Sequence, residues 1–572
     1  MRARVKRGLQ RAALVAAVIA ASTWMVVAQD GLPFNWLQWG QNPQHQGFVQ
    51  TAGQAATSIL ADTVYDPFTA AEERDTGGDL LVHYQVPLVD GEDVFMEFKG
   101  GRFIECSPAG SGNPPPSETD CGQSAWNSQN WNQKRLHWEG GQLVEKWIFK
   151  SDWKAVRIEV AQWEPVYHAV LANGSVYDPG FSGSVFKLDR GSGTIVSRIS
   201  PFGTTDPNTF VAGPLSADDV GNVYYNAIKF TDQTINVYPG LVNAWLVKIA
   251  PDDTVSMVSY ADLLAPVSPP TVCERSFSAA TLPWPPSPTS PPRTAACGAQ
   301  RPGLNIAPAI GPDGTIYTAS KGHGDVDLFG AGGDRASYVV AVNPDLTLKW
   351  ASSLAHTLSD GCGKLVPIAS STTPEKGKCR NTANVGVDPS TNRPGSARIL
   401  DAGTSSPVVL PDGNIYFGAY TRYNAARGHA YKLRGSDGGI LTAYDFGWDD
   451  TQAAFQHDGT YSIVMKDNHY DEELGFYCNP VSSVPVSQIV CAFTGIPAGP
   501  FFITQVNPNL VPEWKFKSTE TRDCRRNADG SVTCVDDGKH PNGFEWCINA
   551  PAVDGAGNVY VESEDGNIYV LE

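Results

Sequence analysis

The chain has 572 residues, a formal net charge of −18 and only 18% charged side chains. That balance argues against a general nucleic-acid binder and against docking on an anionic membrane surface. Its 56 Gly, 42 Pro, 20 Tyr and 15 Trp favour turns and strands over helices.

The first element is a targeting segment. Arg2, Arg4, Lys6, Arg7 and Arg11 precede an apolar run from Ala12 to Ala28, and Val26 and Ala28 suit the −3 and −1 positions of a cleavage site. Residues 1–28 read as a secretory signal peptide, leaving 29–572 as a single domain in the periplasm or outside the cell. The run of 17 residues also reaches the lower end of a spanning helix, so an uncleaved N-terminal anchor is the alternative. No later stretch could span a membrane.

A repeat then runs through the chain. "PLVDGEDVF" starts at Pro87, "HAVLANGSVY" at His168, "PLSADDVGNVY" at Pro214 and "PAIGPDGTIY" at Pro308. "PVVLPDGNIY" starts at Pro407, a degenerate "AAFQHDGTY" at Ala453 and "PAVDGAGNVY" at Pro551. Each is an apolar strand, a Gly/Asp/Asn turn and a second strand. Third and fourth strands follow, as in "SVFKLDRGSGTIVSRI" (184–199) and "YVVAVNPDLTLKWASS" (338–353). Four strands every 40 to 50 residues or so is the spacing of a propeller blade. The expectation is an all-β, seven-bladed propeller of four-stranded blades.

The last copy, "GNVYVESEDGNIYVLE", resembles the PQQ-like (quinoprotein-like) β-propeller repeat, with its G-x-V-Y-x-x-x-x-D-G-x-I-Y-x-L pattern. The likeness runs over nearly all of the chain beyond residue 28. It is specific for fold, and many non-enzymatic proteins share it. It raises pyrroloquinoline quinone (PQQ) as a cofactor, which dehydrogenases of this type often hold between a tryptophan and a vicinal disulfide. This chain has no Cys-Cys dipeptide and no clear Asp-plus-Asn/Glu calcium constellation, so the quinone is neither supported nor excluded.

The last unit has three strands. "FNWLQWGQNPQHQG" (34–47) carries Trp36, Leu37 and Trp39 like a fourth strand, and is expected to pair with 566–571 and close the ring. The tight turns Asp313-Gly314, Asp412-Gly413 and Asp565-Gly566 are placed between first and second strands, on one face. The surplus residues lie in 99–131, 261–304, 354–404, 466–500 and 518–548, on the other face. Each holds a local cysteine pair: Cys106 with Cys121, Cys273 with Cys297, Cys362 with Cys379, Cys478 with Cys491, and Cys524 with Cys534. Cys547 is left over, and the pairing among the last three is open. Disulfide clips are expected in an exported chain and lower the cost of ordering long loops. Loops on a rigid scaffold are where binding residues concentrate. The Pro-rich stretch 282–293 reads as extended and exposed.

Candidate ligand-binding residues are His168, at the start of an innermost strand; His323; Arg422, Tyr423, Arg427 and His429 in "YTRYNAARGH"; and His469 in "KDNHYDEE". Arginine with histidine suits a carboxylate or sulfate, and His, Tyr and Arg together suit a lyase. Asp325, Asp327, Asp467 and Asp471 are candidate cation ligands, Ca²⁺ first. Two classes of function stay open. One is an exported binding or scaffolding propeller, monomeric, with a protein or carbohydrate ligand at the channel mouth. The other is an enzyme: a quinone-dependent alcohol or sugar oxidoreductase, or a polysaccharide lyase.

Overall fold

The structure, a computed structural model, describes residues 35–54, 57–69, 71, 85–104, 127–154, 166–231, 240–281, 283–324, 335–366, 379–401, 403–421, 423–424, 427–469, 499–527, 529, 531–536, 538 and 540–572. Seven antiparallel sheets follow one another along the chain as the blades of a propeller. Their innermost strands are Leu88–Asp90, Val170–Ala172, Thr209–Ala217, Ala309–Ile310, Val408–Val409, Ala453–His457 and Ala552–Val553. These are the seven repeated phrases. Blades 1 to 6 each have four sequential strands running outward, and blade 7 has three. Among the described residues no helix is long and apolar enough to cross a membrane.

Neighbouring blades lock through tryptophan and glycine. Outer-strand Trp147 donates to Arg190 O in blade 2, and Trp350 donates to Gly435 O in blade 5. Each indole lies on a turn glycine of the next blade. A Cβ on Gly193 would come 2.6 Å from Trp147, and one on Gly438 2.5 Å from Trp350. Both glycines have positive φ, 71° and 75°, which also favours glycine there.

The N-terminal segment does join the last blade, where Phe48 bridges Val553, but on the inner strand, and this corrects the edge expected from sequence. The N-terminal segment does not pair with 566–571. Asn35 and Trp36 pair with Asp90 and Val89 on the inner edge of blade 1. The strap then visits the inner strands in order. Leu37 O accepts from Leu171 N at 2.9 Å, and Gln38 exchanges two bonds with Ala217. Pro43 O accepts from Ile310 N, Gln44 O from Val409 N, Gln46 O from Ala454 N and Gly47 O from Val553 N. All seven blades are thus bonded to one strap lying across the hub. Gly40 and Gly47 make the loop possible: both have positive φ, and a Cβ on Gly40 would sit 2.7 Å from His45. The physical reason is that a channel lined by strand ends presents backbone groups, and each must find a partner. The same local pattern of Trp and polar residues serves an inner edge as well as an outer one.

A second correction concerns Asp565-Gly566. This turn joins the second and third strands of blade 7, Val559–Glu562 and Ile568–Leu571, so it belongs to the loop face. The turn between the first two strands is at Asp554, whose carboxylate accepts from Ala556 N and Asn558 N. Asp313 and Asp412 do make first-to-second turns, accepting from Thr315 N and Asn414 N.

Three of the expected disulfides are present: Cys273–Cys297, Cys362–Cys379 and Cys524–Cys534. Cys547 is in no disulfide. Cys106, Cys121, Cys478 and Cys491 lie outside the described residues. The Pro-rich stretch is partly buried rather than exposed. Trp284 is 1% exposed and packs with Phe277, Cys362, Cys379 and Tyr423, so it fastens the 261–304 and 354–404 loops together. Arg380 adds bonds to Pro283 O and Pro285 O.

Candidate functional site

The hub is filled by its own residues. Trp39 is fully buried, donates to Thr451 Oγ1 at 2.8 Å and meets the ring of His168 edge-on. His168 Nε2 bonds Val86 O. His45 bonds Pro407 O through Nδ1 and Ser216 Oγ through Nε2. Burial pushes both histidines down to about 4, against the partial relief of their backbone bonds, so both rings are neutral at pH 7. His168 therefore sits under the strap rather than at an open mouth.

The loop face is built differently, from charged side chains supplied by separate connections. Arg301, fully buried, grips Asp401 with two bonds of 2.7 and 2.6 Å, and its Nε donates to His323 Nδ1. Lys321 adds a contact to Asp401 at 3.3 Å. Burial alone would raise the Asp401 carboxyl, but Arg301 and Lys321 hold it well below the usual range. Arg335 pairs with Asp388 at 3.0 Å and reaches Ser276 and Ser390, tying the 261–304 and 354–404 loops. His323 thus lands in a buried charge cluster. Its sequence neighbours Asp325 and Asp327 lie outside the described residues, as do Arg422 and Asp471.

Tyr423, Arg427 and His429 do come together, at the junction of blades 5 and 6. His429 opens the third strand of blade 5, His429–Leu433, and is 2% exposed. Its Nε2 lies 2.7 Å from Asp360 Oδ2 and 3.6 Å from Asp445 Oδ1. Its Nδ1 is 3.2 Å from Thr421 Oγ1, which donates to Asn424 Oδ1. Tyr423 OH donates to Asp360, and Asn424 Nδ2 does so at 3.3 Å. Burial pulls His429 down, but its bonds to Asp360 and Asp445 outweigh that and hold it above its ordinary value. Asp360, His429 and Asp445 are three groups whose ligand atoms all lie within 4.8 Å of one another.

Next to them, Asp467 accepts from Lys515 at 2.7 Å, Thr504 at 3.0 Å and Tyr444 at 3.1 Å, and meets His469 Nε2 at 3.0 Å. Asp467 lies on a strand, Thr460–Asn468, and is fully buried; it is not part of a solvated acidic loop. Phe446 links the two clusters. His469 stacks on it at 4.0 Å, and Arg427 and Lys515 lie over it at 5.6 and 5.7 Å. Two sides remain open to solvent: Asp445 is 53% exposed in its side chain and Lys515 34%. Asp360, Asp445, Phe446 and Lys515 were not singled out from sequence. Asp360 stands just before clipped Cys362, and Asp445 just after an outer strand, which is the signal available.

These features define a seven-bladed β-propeller with a closed hub and one charge-bearing loop face. No family model and no curated protein sequence matches the chain. Among solved structures it is similar to a europium-containing methanol dehydrogenase, at 10% identity over 92% of this chain and 89% of that one, with a TM-score of 0.43. It is similar to the quinohemoprotein alcohol dehydrogenase of Comamonas testosteroni at 10% identity over 93% and 77%, TM-score 0.42. BamB from Moraxella catarrhalis shares 9% over 77% and 78%, TM-score 0.29. Likenesses this distant carry no argument about activity. The hub residues do not fit a planar quinone: Trp39, His45 and His168 fill it, with the Trp39 indole, both His45 nitrogens and His168 Nε2 bonded within the protein. The described disulfides join cysteines 24, 17 and 10 residues apart, so none is vicinal.

Proposed function

We propose that this is an exported binding propeller that recognises a protein or carbohydrate ligand with its loop face, over the junction of blades 5 and 6. One observation carries the reading: charges from four connections and strands converge there around Phe446, with Asp445 and Lys515 reaching solvent, while the hub is filled. An aromatic ring flanked by charges suits a hydroxyl-rich or charged segment. The lyase reading has less support. Tyr423 is 2% exposed and its hydroxyl is directed to Asp360 rather than to open space.

The experiment is an array of polygalacturonate, alginate, chitosan, dextran and a random polar peptide library, probed with labelled protein. Binding that is lost in Asp445→Asn/Lys515→Ala and kept in Asp313→Ala, on the opposite face, is the expected result. Equal binding by both variants, or release of unsaturated sugar with ultraviolet absorbance, would overturn it.

A further inference from the structure

We propose that Asp360, His429 and Asp445 form a binding site for a divalent transition-metal ion, Zn²⁺ first, with an open position toward solvent. The proposal goes beyond ligand recognition by the loop face and stands without it.

The donor set is one imidazole nitrogen and two carboxylate oxygens: His429 and Asp445 flank the paired Ala430 and Tyr444 at the end of one hairpin, and Asp360 comes from a remote blade connection. Imidazole with carboxylate suits a first-row divalent ion, whereas Ca²⁺ prefers six to eight oxygens or so. Two carboxylates and a neutral imidazole bring the charge that a dication balances. The distances are near what an ion requires. Metal–ligand bonds of about 2.0–2.2 Å imply donors roughly 3.3 Å apart in a tetrahedral site. Here the imidazole nitrogen is 2.7 Å from one carboxylate and 3.6 Å from the other, and all three ligand atoms lie within 4.8 Å of one another, so the closer pair opens by about 0.6 Å to take an ion.

The surroundings have the form that orients metal ligands. The second nitrogen of His429 is held by Thr421 Oγ1, which fixes the ring and its tautomer. Asp360 is fixed from behind by Tyr423 and Asn424. His429 is buried, Asp360 nearly so and Asp445 is half-exposed. Three protein ligands with one exposed edge is the arrangement of a site that keeps a position for water or for an oxygen of a bound ligand. The competing state is an imidazolium shared between the two carboxylates. The ion and that proton occupy the same place, so the two states exclude each other.

The test uses untagged protein carrying Cys547→Ser, so that this thiol does not compete. After treatment with a chelator, the protein is dialysed against Zn²⁺, Co²⁺ or Ca²⁺ and its metal content measured. The expected result is one Zn²⁺ or Co²⁺ per chain, a visible Co²⁺ absorption band and no retained Ca²⁺. Asp445→Asn, at a half-exposed position, should keep the fold and weaken Zn²⁺ affinity at least 100-fold; Thr421→Val should weaken it about 10- to 100-fold. No stoichiometric Zn²⁺ or Co²⁺ in the parent protein, or unchanged affinity in Asp445→Asn, would overturn the site. A folded His429→Gln that still gives the Co²⁺ band would overturn it equally. None of these readouts involves a carbohydrate or peptide, so a failure here is distinct from a failure of the binding array.

Discussion

The hub and the loop face both bury polar groups, and they do so in opposite ways. In the hub the groups are neutral and end on backbone or on hydroxyls: His45 on Pro407 O and Ser216 Oγ, His168 on Val86 O, Trp39 on Thr451 Oγ1, Gln44 on Ile310 O and Gln46 on Val409 O. On the loop face they are charged and end on one another: Arg301 on Asp401, Arg335 on Asp388, Lys466 on Asp449. Neutral groups bonded to backbone satisfy strand ends and fix shape. Charge pairs from separate connections set the relative position of loops and bring charge near a surface. Burial of a histidine is thus no mark of function by itself; whether its partners are neutral or charged decides.

The strongest way to break the comparison is to remove the strap. Deleting residues 29–54 takes away its bonds to all seven blades and the buried Trp39, and the expected outcome is loss of cooperative folding, read by circular dichroism on heating. A truncated protein that melts within a few degrees of the full chain would falsify the view that the hub closes the ring. Next comes Asp401→Ala. It leaves the fully buried Arg301 without its carboxylate, a change that costs about 3–5 kcal/mol. Urea unfolding measures it, and a cost below 1 kcal/mol or so would show the pair to be wetter than its burial suggests.

The third test separates the two regions by pH. His45 and His168 have folded values near 4, below the ordinary 6.5, so the unfolded chain binds more protons between those limits. Stability from the hub is therefore complete above 6.5 and is lost as pH falls toward 4. Each ring contributes at most roughly 3 kcal/mol at 1.4 kcal/mol or so per unit. Asp401 is shifted down as a carboxylate, so its contribution persists to lower pH and is lost only below the usual carboxylate range. Buried Asp178, Asp450 and Glu562, held up at about 8, 7 and 7, act in the opposite sense over the same range, so the hub's share is read by difference: in thermal melts from pH 7.5 to 3, His45→Gln should remove roughly half of the histidine loss and leave the lower-pH loss unchanged. A single transition unaffected by His45→Gln would merge the two regions into one.

Much of the ring was legible in the sequence. "PVVLPDGNIY" gives Val408–Val409 and Ile415–Ala419 because alternation and an Asp-Gly turn are local properties. That the N-terminal segment reaches the last blade was legible too, but the edge it closes on was not, because Trp36 and Trp39 have the same local pattern as an outer-strand tryptophan. The discriminating signal is "QNPQHQG", where glutamines and a histidine alternate as they would to satisfy strand ends. At the junction of blades 5 and 6, His429, Tyr423 and Arg427 stand within one loop and could be read together. Asp360 and Asp445 could not, because spacing along the chain does not say which blade connections meet.

The strap also bears on the order in which the molecule assembles. Its residues are synthesised before any blade, yet Trp39 waits for Thr451, 412 positions later, and Gly53 for Asp554, 501 positions later. Contacts of that range are slow to form, since a long loop must close before they give anything back. The blades can build from neighbouring hairpins as they appear, while the centre stays open until the seventh is made. A segment made before any blade is thus the last to become native, and until then the inner strand ends are exposed to wrong pairing.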